Sequence, residues 1–479
     1  MMRIAHIAAE GLPFSKTGGL ADVMGALPPA LAARGHRVVV ILPCHRPDPR
    51  KPAPGEAVGP PIEAGGFLFD VRRAAVGDVT FLLMDSPRLF ARPFPYGTPD
   101  GEYPDNPVRF AAFARAAVIA AAREMPGLHV LHLHDWQAAV IAGLLGRDPA
   151  LGGALQGTPT VLTIHNLAYQ GSFEPWAVQA AHLPWQLFQP DGFEFWGRVN
   201  FLKGGMLFAD RLTTVSPTYA REILEPDRGE GLHEILWARQ NELKGILNGL
   251  DTEAWSPVAD PFLPERYTPA TVTRAKRRAR AAVAEELGLE ADDSPMVGVV
   301  SRLVHQKGAD LLASAVHGLA GFGYRVALLG SGDARLEQEV ADAVAAHPGR
   351  AALRRAFDEP LAHRIYAGAD LFLMPSRYEP CGLSQLIALT YGALPVVNPT
   401  GGLADTVFDL DADPEAGNGF HLSELTPGGI VEAAARARTV LTDASRLLAL
   451  RRRVMVEDRG WSPAAAAYEK LYEEVSGPR

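Results

Sequence analysis

Apolar and polar positions alternate along the chain in blocks. Residues 3–9 form an apolar run, followed by Gly/Pro punctuation, a helical stripe over residues 20–33, and a second apolar run at 37–42 after Gly35. Continuous Val/Ile-rich runs of this length suit parallel strands covered on both faces, so the opening predicts a β-α-β unit. Apolar segments resume at residues 67–70 and 79–84, and further short strands end at His134 and Ile164 with helical segments between and after them. The Pro- and Gly-rich stretch 46–66 reads as a surface excursion. Beyond the turn signal Asn248-Gly249, Pro257, Pro261, Pro264 and Pro269 follow in quick succession and mark an interdomain connection. Alternation then restarts with a helix carrying Lys276, Arg277, Arg278 and Arg280, and with strands at 296–301, 325–329, 370–374 and 394–397. Near the end, Ser462-Pro463 predicts a capped helix start, and Tyr468, Leu471, Tyr472 and Val475 trace the stripe of a packing helix.

Strands alternating with helices on both sides of a Pro-rich hinge predict an α/β protein of two Rossmann-like, doubly wound domains. The expected boundaries are residues 1–250, 251–460 and a C-terminal helix at 461–479 packing back towards the N-terminal domain. An internal echo supports two similar halves. Thr17-Gly18-Gly19-Leu20-Ala21-Asp22 recurs letter for letter as Thr400-Gly401-Gly402-Leu403-Ala404-Asp405, each copy between an apolar run and a helix-like segment. The expectation is that both halves use the same turn physics.

Composition narrows the class. The 479 residues carry 46 Lys+Arg against 55 Asp+Glu, a net charge of −9 that gives no electrostatic reason to seek nucleic acid. Two cysteines, Cys44 and Cys381, cannot build a disulfide framework and fit a reducing compartment. The N-terminus lacks the apolar core of a signal peptide, and no apolar run reaches the ~18 residues of a membrane span. A soluble, cytoplasmic, multidomain protein is expected.

Three loops stand out chemically. In Lys16-Thr17-Gly18-Gly19, paired glycines before a helix let backbone N–H groups approach an anion, and Lys16 adds a mobile cation. Arg302 and Lys307 bracket the loop after the first strand of the second half, where two cations suit a diphosphate. In Glu379-Pro380-Cys381-Gly382-Leu383-Ser384, the carboxylate suits sugar hydroxyls and the N–H groups of Gly382, Leu383 and Ser384 suit phosphate. Cys381 lacks a Cys/His/Asn signature and reads as packing or backbone presentation. His132, His134 and Asp135 echo metal-ligand spacing but end a buried-looking strand with no complete motif after them, so no metal is expected. Pro414 occupies the place where a calcium loop built on Asp409, Asp411 and Asp413 needs Gly, which leaves a solvated acidic loop. The Lys276–Arg280 cluster reads as a solvated helix face, and the dinucleotide, P-loop and G-x-S-x-G signatures are absent.

Taken together with Tyr103–Asn106, His134–Gln137, Thr163–Gly171, Asn200–Gly205, Thr214–Pro217 and Asn248–Asp251, these loops make the sequence resemble the bacterial glycogen synthases over nearly its whole length. The resemblance implies a GT-B architecture, with two domains facing across a cleft, the first on the acceptor side and the second on the donor side. It implies transfer of glucose from ADP-glucose to the non-reducing end of glycogen or another α-1,4-glucan, with retention and without metal or cofactor. Carried over, Lys16, Arg302 and Lys307 would hold the diphosphate, with Gly18, Gly19 and residues 381–384 beside it. Glu379, Asp135 and Asn248 would contact glucose hydroxyls, and His165 would face the anomeric carbon. Asn166 and Tyr96 would line the donor site, and Phe357 stands where relatives commonly stack a Tyr on adenine. Asn398-Pro399 departs from the basic residue of many relatives, and Ala21 from a frequent Gly.

Overall fold

A computed structural model of the chain describes residues 1–48, 50–98 and 101–477. The chain divides into two compact units, one of Met1–Gly249 with Trp461–Arg479 and one of Leu250–Gly460.

In the first unit the described parallel strands lie in the spatial order Val79–Asp85, Arg37–Pro43, Arg3–Ile7, Val130–His134, Thr160–Ile164, Arg211–Thr214 and Leu243–Gly245. Numbered along the chain, that order is third, second, first, fourth, fifth, sixth, seventh. The second unit repeats it with Ala351–Arg354, Arg325–Leu329, Met296–Val300, Leu371–Met374, Leu394–Val397 and Phe420–His421, all parallel. Both are doubly wound sheets whose order reverses between the first and fourth strands, the arrangement that opens a ligand crevice at the strands' carboxyl ends. Helices on both faces explain why these strands are apolar almost throughout.

The surface excursion is more ordered than its composition predicts. Ile62–Ala64 and Glu56–Ala57 pair antiparallel with Phe67–Val76, a longer strand than the apolar residues 67–70 indicate, and that strand pairs antiparallel with Val79–Asp85. The helix Ser462–Ser476 belongs to the first unit, where Tyr468, Leu471, Tyr472 and Val475 are buried. It starts without the expected hydroxyl cap, because Ser462 lies inside the first turn and no side chain caps the end. Among the described residues no helix is long and apolar enough to cross a membrane.

One polar expectation in the second unit needs correction. Lys276 does not lie on a solvated face. It is fully buried, because the inward stripe of helix Val272–Leu287 runs through Val272, Ala275, Lys276, Ala279 and Val283. Its Nζ donates to the carbonyls of Ala367 at 2.9 Å, Tyr391 at 3.0 Å and Tyr366 at 3.3 Å, stitching three segments together. Arg280 pairs with buried Asp370 at 2.9 Å, and only Arg277 and Arg278 are exposed. The acidic loop is solvated at Asp411 and Asp413, as expected, and is anchored at one end: Asp409 accepts the N–H groups of Asp411 and His421, and Arg436 reaches Asp411 at 2.6 Å. Removing the Lys276 donor strands buried carbonyls, which costs about 1–3 kcal/mol. Lys276→Met should therefore lower unfolding free energy by about that much, whereas Arg277→Met on the exposed side should change it by less than about 0.5 kcal/mol. Chemical denaturation of both variants checks the contrast.

Candidate active site

In each unit the loops that leave the two strands flanking the reversal carry the candidate residues. In the first, Arg3–Ile7 runs into a loop that Glu10 closes. The buried Glu10 carboxylate accepts the Thr17 backbone N–H at 2.5 Å and the Thr17 hydroxyl at 2.6 Å. This clasp presents Gly18 and Gly19 at the start of helix Gly19–Ala33. A Cβ at Gly19 would meet nothing within 4 Å, and one at Gly18 only a Glu10 oxygen at 3.7 Å, so there is space beside the turn, although the Gly18 N–H itself is bonded to Glu10. Lys16 lies alongside, its ammonium on Asp22 at 2.7 Å. Tyr96 hydrogen-bonds Thr17 and packs its ring against His45 and Phe110.

The other flanking strand, Val130–His134, passes directly into helix Asp135–Leu144. Asp135 turns that corner at φ +54°, a left-handed conformation that costs a non-Gly residue about 1–3 kcal/mol and is held only where surroundings enforce it. The enforcing contact is visible: Asp135 Oδ1 accepts the His165 backbone N–H at 2.8 Å. The His165 ring is in turn held through Nε2 by His134 Nδ1 at 2.9 Å. Asn166 uses its side-chain oxygen on the Ala168 N–H, which tightens the turn after His165.

Burial dominates the electrostatics here. Desolvation pushes the Glu10 carboxyl up to about 7 against the opposing hydrogen bonds from Thr17, and pushes Asp135 up to about 7 against those from His165 and Asn166. It pushes the His165 imidazole down to about 3, so that ring is neutral at physiological pH. The metal-like spacing at His132 and His134 gains a third member, His6, with a ligand atom from each within 4.8 Å of the others. Of the six ring nitrogens five are already committed, and His6 Nε2 has no partner. Both ring nitrogens of His132 are taken by Tyr472 and Thr163 at 2.6 Å, and both of His134 by His6 and His165.

In the second unit, Met296–Val300 leads into the loop of Arg302 and Lys307, and Leu371–Met374 into that of Glu379. Lys307 Nζ donates to Glu379 Oε2 at 2.5 Å, and the Ser376 hydroxyl donates to the same oxygen at 3.0 Å. Arg302 reaches Gln306 at 3.4 Å, whose amide extends to the Tyr378 carbonyl. Gly308, at φ +70°, seals the two loops together, since a Cβ there would lie 2.3 Å from the Pro375 carbonyl oxygen. Gly382 follows at φ +75° and leads through Leu383 into helix Ser384–Thr390. Cys381 is buried and offers its carbonyl to Gln385. Asn398 donates to the Ser376 carbonyl at 2.8 Å and so braces the Glu379 loop.

The two hexapeptide copies do not share one turn physics. Gly18 is extended and open, whereas Gly401 sits at φ +47° and a Cβ there would meet the Glu379 carbonyl oxygen at 2.0 Å. A Cβ at Gly402 would lie 1.9 Å from the Cys381 carbonyl oxygen. The first copy borders open space; the second is the floor on which the Glu379 loop rests.

Comparison with known proteins agrees with this layout. Residues 3–238 match the starch synthase catalytic domain, and residues 294–443 match glycosyl transferases group 1. A glycogen synthase of Anaeromyxobacter dehalogenans is 45% identical over 99% of this chain and all of its own length. The chain belongs to the bacterial glycogen synthase family. Glycogen synthase 2 of Geobacter metallireducens, at 42% identity over the full length of both, is a similar relative. The catalytic domain of Arabidopsis thaliana starch synthase IV, solved with ADP and acarbose, superposes with a TM-score of 0.90 at 34% identity over 99% of each chain. A sucrose-phosphate synthase of Thermosynechococcus elongatus shares the fold alone, with a TM-score of 0.63 at 19% identity over 99% of each chain. The chain is thus a GT-B type glycosyltransferase of glycogen synthesis.

For a glycogen synthase family member, the grouping of expected site residues is uneven. Asp135 and His165 are bonded to each other, Lys307 and Glu379 likewise, and Lys16, Gly18 and Gly19 share one turn. Phe357 stands apart on a loop, with 87% of its surface exposed. Asn248 Oδ1 is buried without a hydrogen-bond partner. Glu10 and His6 escape sequence reading because each is one polar letter in or beside an apolar strand. The folded state retains the Glu10 proton to a higher pH than the unfolded chain, so its contribution to stability is full at low pH and is lost as pH rises towards about 7. Glu10→Gln should flatten that decline, gaining on the order of 1–3 kcal/mol relative to the parent between pH 5 and 7.5. Parallel denaturation curves for both proteins across this range would show that Glu10 ionises normally.

Proposed function

We propose that the chain transfers glucose from ADP-glucose to the non-reducing end of an α-1,4-glucan, with retention of configuration. The observation that carries this reading is the Lys307–Glu379 pair at the strand reversal of the second unit, with Arg302 on the neighbouring loop. A cation and a carboxylate held together at a strand's carboxyl end suit a ligand that is itself a phosphate joined to a sugar. Arg302 and Lys307 take the diphosphate, as do the N–H groups of Gly382, Leu383 and Ser384, Lys16 and the Gly18–Gly19 turn. Glu379, Asp135 and Asn248 take glucose hydroxyls, His165 faces the anomeric carbon, and Asn166 and Tyr96 line the donor site. The exposed Phe357 ring offers adenine a face to stack on. The first unit serves the acceptor and the second the donor.

As the glycosidic bond to the diphosphate breaks, negative charge grows on the leaving oxygen, and fixed cations and N–H dipoles stabilise it without reorganisation. The acceptor hydroxyl then attacks the sugar on the face the diphosphate leaves, passing its proton to the departing phosphate oxygen. Retention follows from that geometry without a covalent enzyme intermediate.

Incubation of purified protein with labelled ADP-glucose or UDP-glucose, with and without glycogen, tests the reading. Label should enter polymer from ADP-glucose and only when glucan is present; preference for UDP-glucose would overturn the donor assignment, and no transfer from either by folded protein would overturn the whole. Lys307→Ala and Glu379→Ala should each lower kcat by at least about 10²–10³-fold with the fold intact by circular dichroism. Near-normal turnover in either variant removes that residue from the site.

A further inference from the structure

Three histidines form a line across three adjacent strands of the first unit. His6 lies on Arg3–Ile7, His134 ends Val130–His134, and His165 follows Thr160–Ile164. His6 Nδ1 meets His134 Nε2 at 3.0 Å, and His134 Nδ1 meets His165 Nε2 at 2.9 Å. His6 and His134 are fully buried, while His165 is only partly covered. The ring of His134 is held in place by that of His132, 4.1 Å away between centroids.

Proton counting decides how the line is wired. Burial pushes His6 and His165 down to about 3 and His134 well below its ordinary value, so each ring is neutral and carries one proton. Two inter-ring bonds then allow two directions. With every proton on Nε2, His165 donates inward to His134, His134 donates to His6, and His6 Nε2–H ends buried with no protein partner. With every proton on Nδ1, His6 donates to His134, His134 donates to His165, and His165 Nδ1–H is left over at the open end. His6 Nε2 is buried and has no hydrogen-bond partner. The first direction strands a buried N–H there, whereas the second strands only a lone pair, and orphaned buried donors are the rarer and costlier case.

We propose that His6 is a positioning residue for glucosyl transfer: through His134 it fixes His165 in the Nδ1–H tautomer, a neutral hydrogen-bond donor aimed at an oxygen of the bound nucleotide sugar. The inference rests on the placement of His165 at the sugar under the proposed function, but the wiring itself belongs to the protein without substrate. A neutral donor stabilises charge developing on a substrate oxygen without bringing a second full charge into the site. The opposite tautomer would present a lone pair to the same oxygen and repel it.

Long-range ¹H–¹⁵N spectra of the full chain labelled at histidine nitrogen report the tautomer of each imidazole, with His165 assigned by the loss of its signals in His165→Gln. His165 should be protonated at Nδ1 in the parent. His6→Asp, which puts a carboxylate acceptor where the donor stood and so calls for His134 to donate from Nε2, should move His165 to the Nε2–H form or to a mixture, and lower kcat by about 10–100-fold with little change in KM for the nucleotide sugar. His6→Asn keeps an amide donor near the place of Nδ1 and should restore both the tautomer and most of kcat. A parent His165 protonated at Nε2 would overturn the proposal. So would a His6→Asp protein with unchanged tautomer or unchanged kcat, or equal losses in the Asp and Asn variants, which would mark His6 as packing only. Because the tautomer is read without substrate, a failure of the glucosyl-transfer reading leaves that result standing and separately visible.

Discussion

The pairing of the first strand of each sheet with its fourth is the constraint from which the rest follows. Arg3–Ile7 beside Val130–His134, and Met296–Val300 beside Leu371–Met374, reverse the direction in which each sheet grows. Loops leaving the two strands must then part to opposite faces, and the gap between them holds no strand or helix. The Glu10 clasp, the strained corner at Asp135, the Lys307–Glu379 pair and the Gly308 seal all lie at these gaps.

The alternation of apolar runs with helical stripes was enough to read two doubly wound halves and most strand positions, because burial on both faces writes itself into consecutive Val, Ile and Leu. Polar residues on buried faces were harder. Lys276 looks like one of four cations on a solvated helix, and only the 3.6-residue period puts it inward with Ala275 and Ala279. His6 is a lone imidazole in an apolar strand, whose partner lies 128 residues away. Glu10 is seven residues from Thr17, yet nothing in the intervening letters requires the loop to fold back on itself. The repeated hexapeptide misleads in the opposite direction. Identical letters before identical elements serve an open turn in one unit and a packed floor in the other, because the loop lying over the second copy comes from a different strand.

The sheet of the first unit also departs from an ordinary apolar core. His6, His132, His134, Thr163 and Thr213 are all fully buried on its central strands. Thr163 and Thr213 share a hydrogen bond at 2.6 Å, and His132 bridges Thr163 to Tyr472. A buried polar net is costly when partly satisfied and rigid when complete. Here it is complete except at His6 Nε2, so the sheet beneath Asp135 and His165 is held by directional bonds as well as by packing.

The helix Ser462–Ser476 gives the chain a temporal order. The second unit is one continuous segment, whereas the first is interrupted by it and closes only when Tyr472 reaches His132. During synthesis from the N-terminus, the second unit can therefore finish its core while the first still waits for its last helix. Residues 1–249 spend that interval with the sheet face around His132 uncovered, so this face is where a nascent chain most needs protection from aggregation.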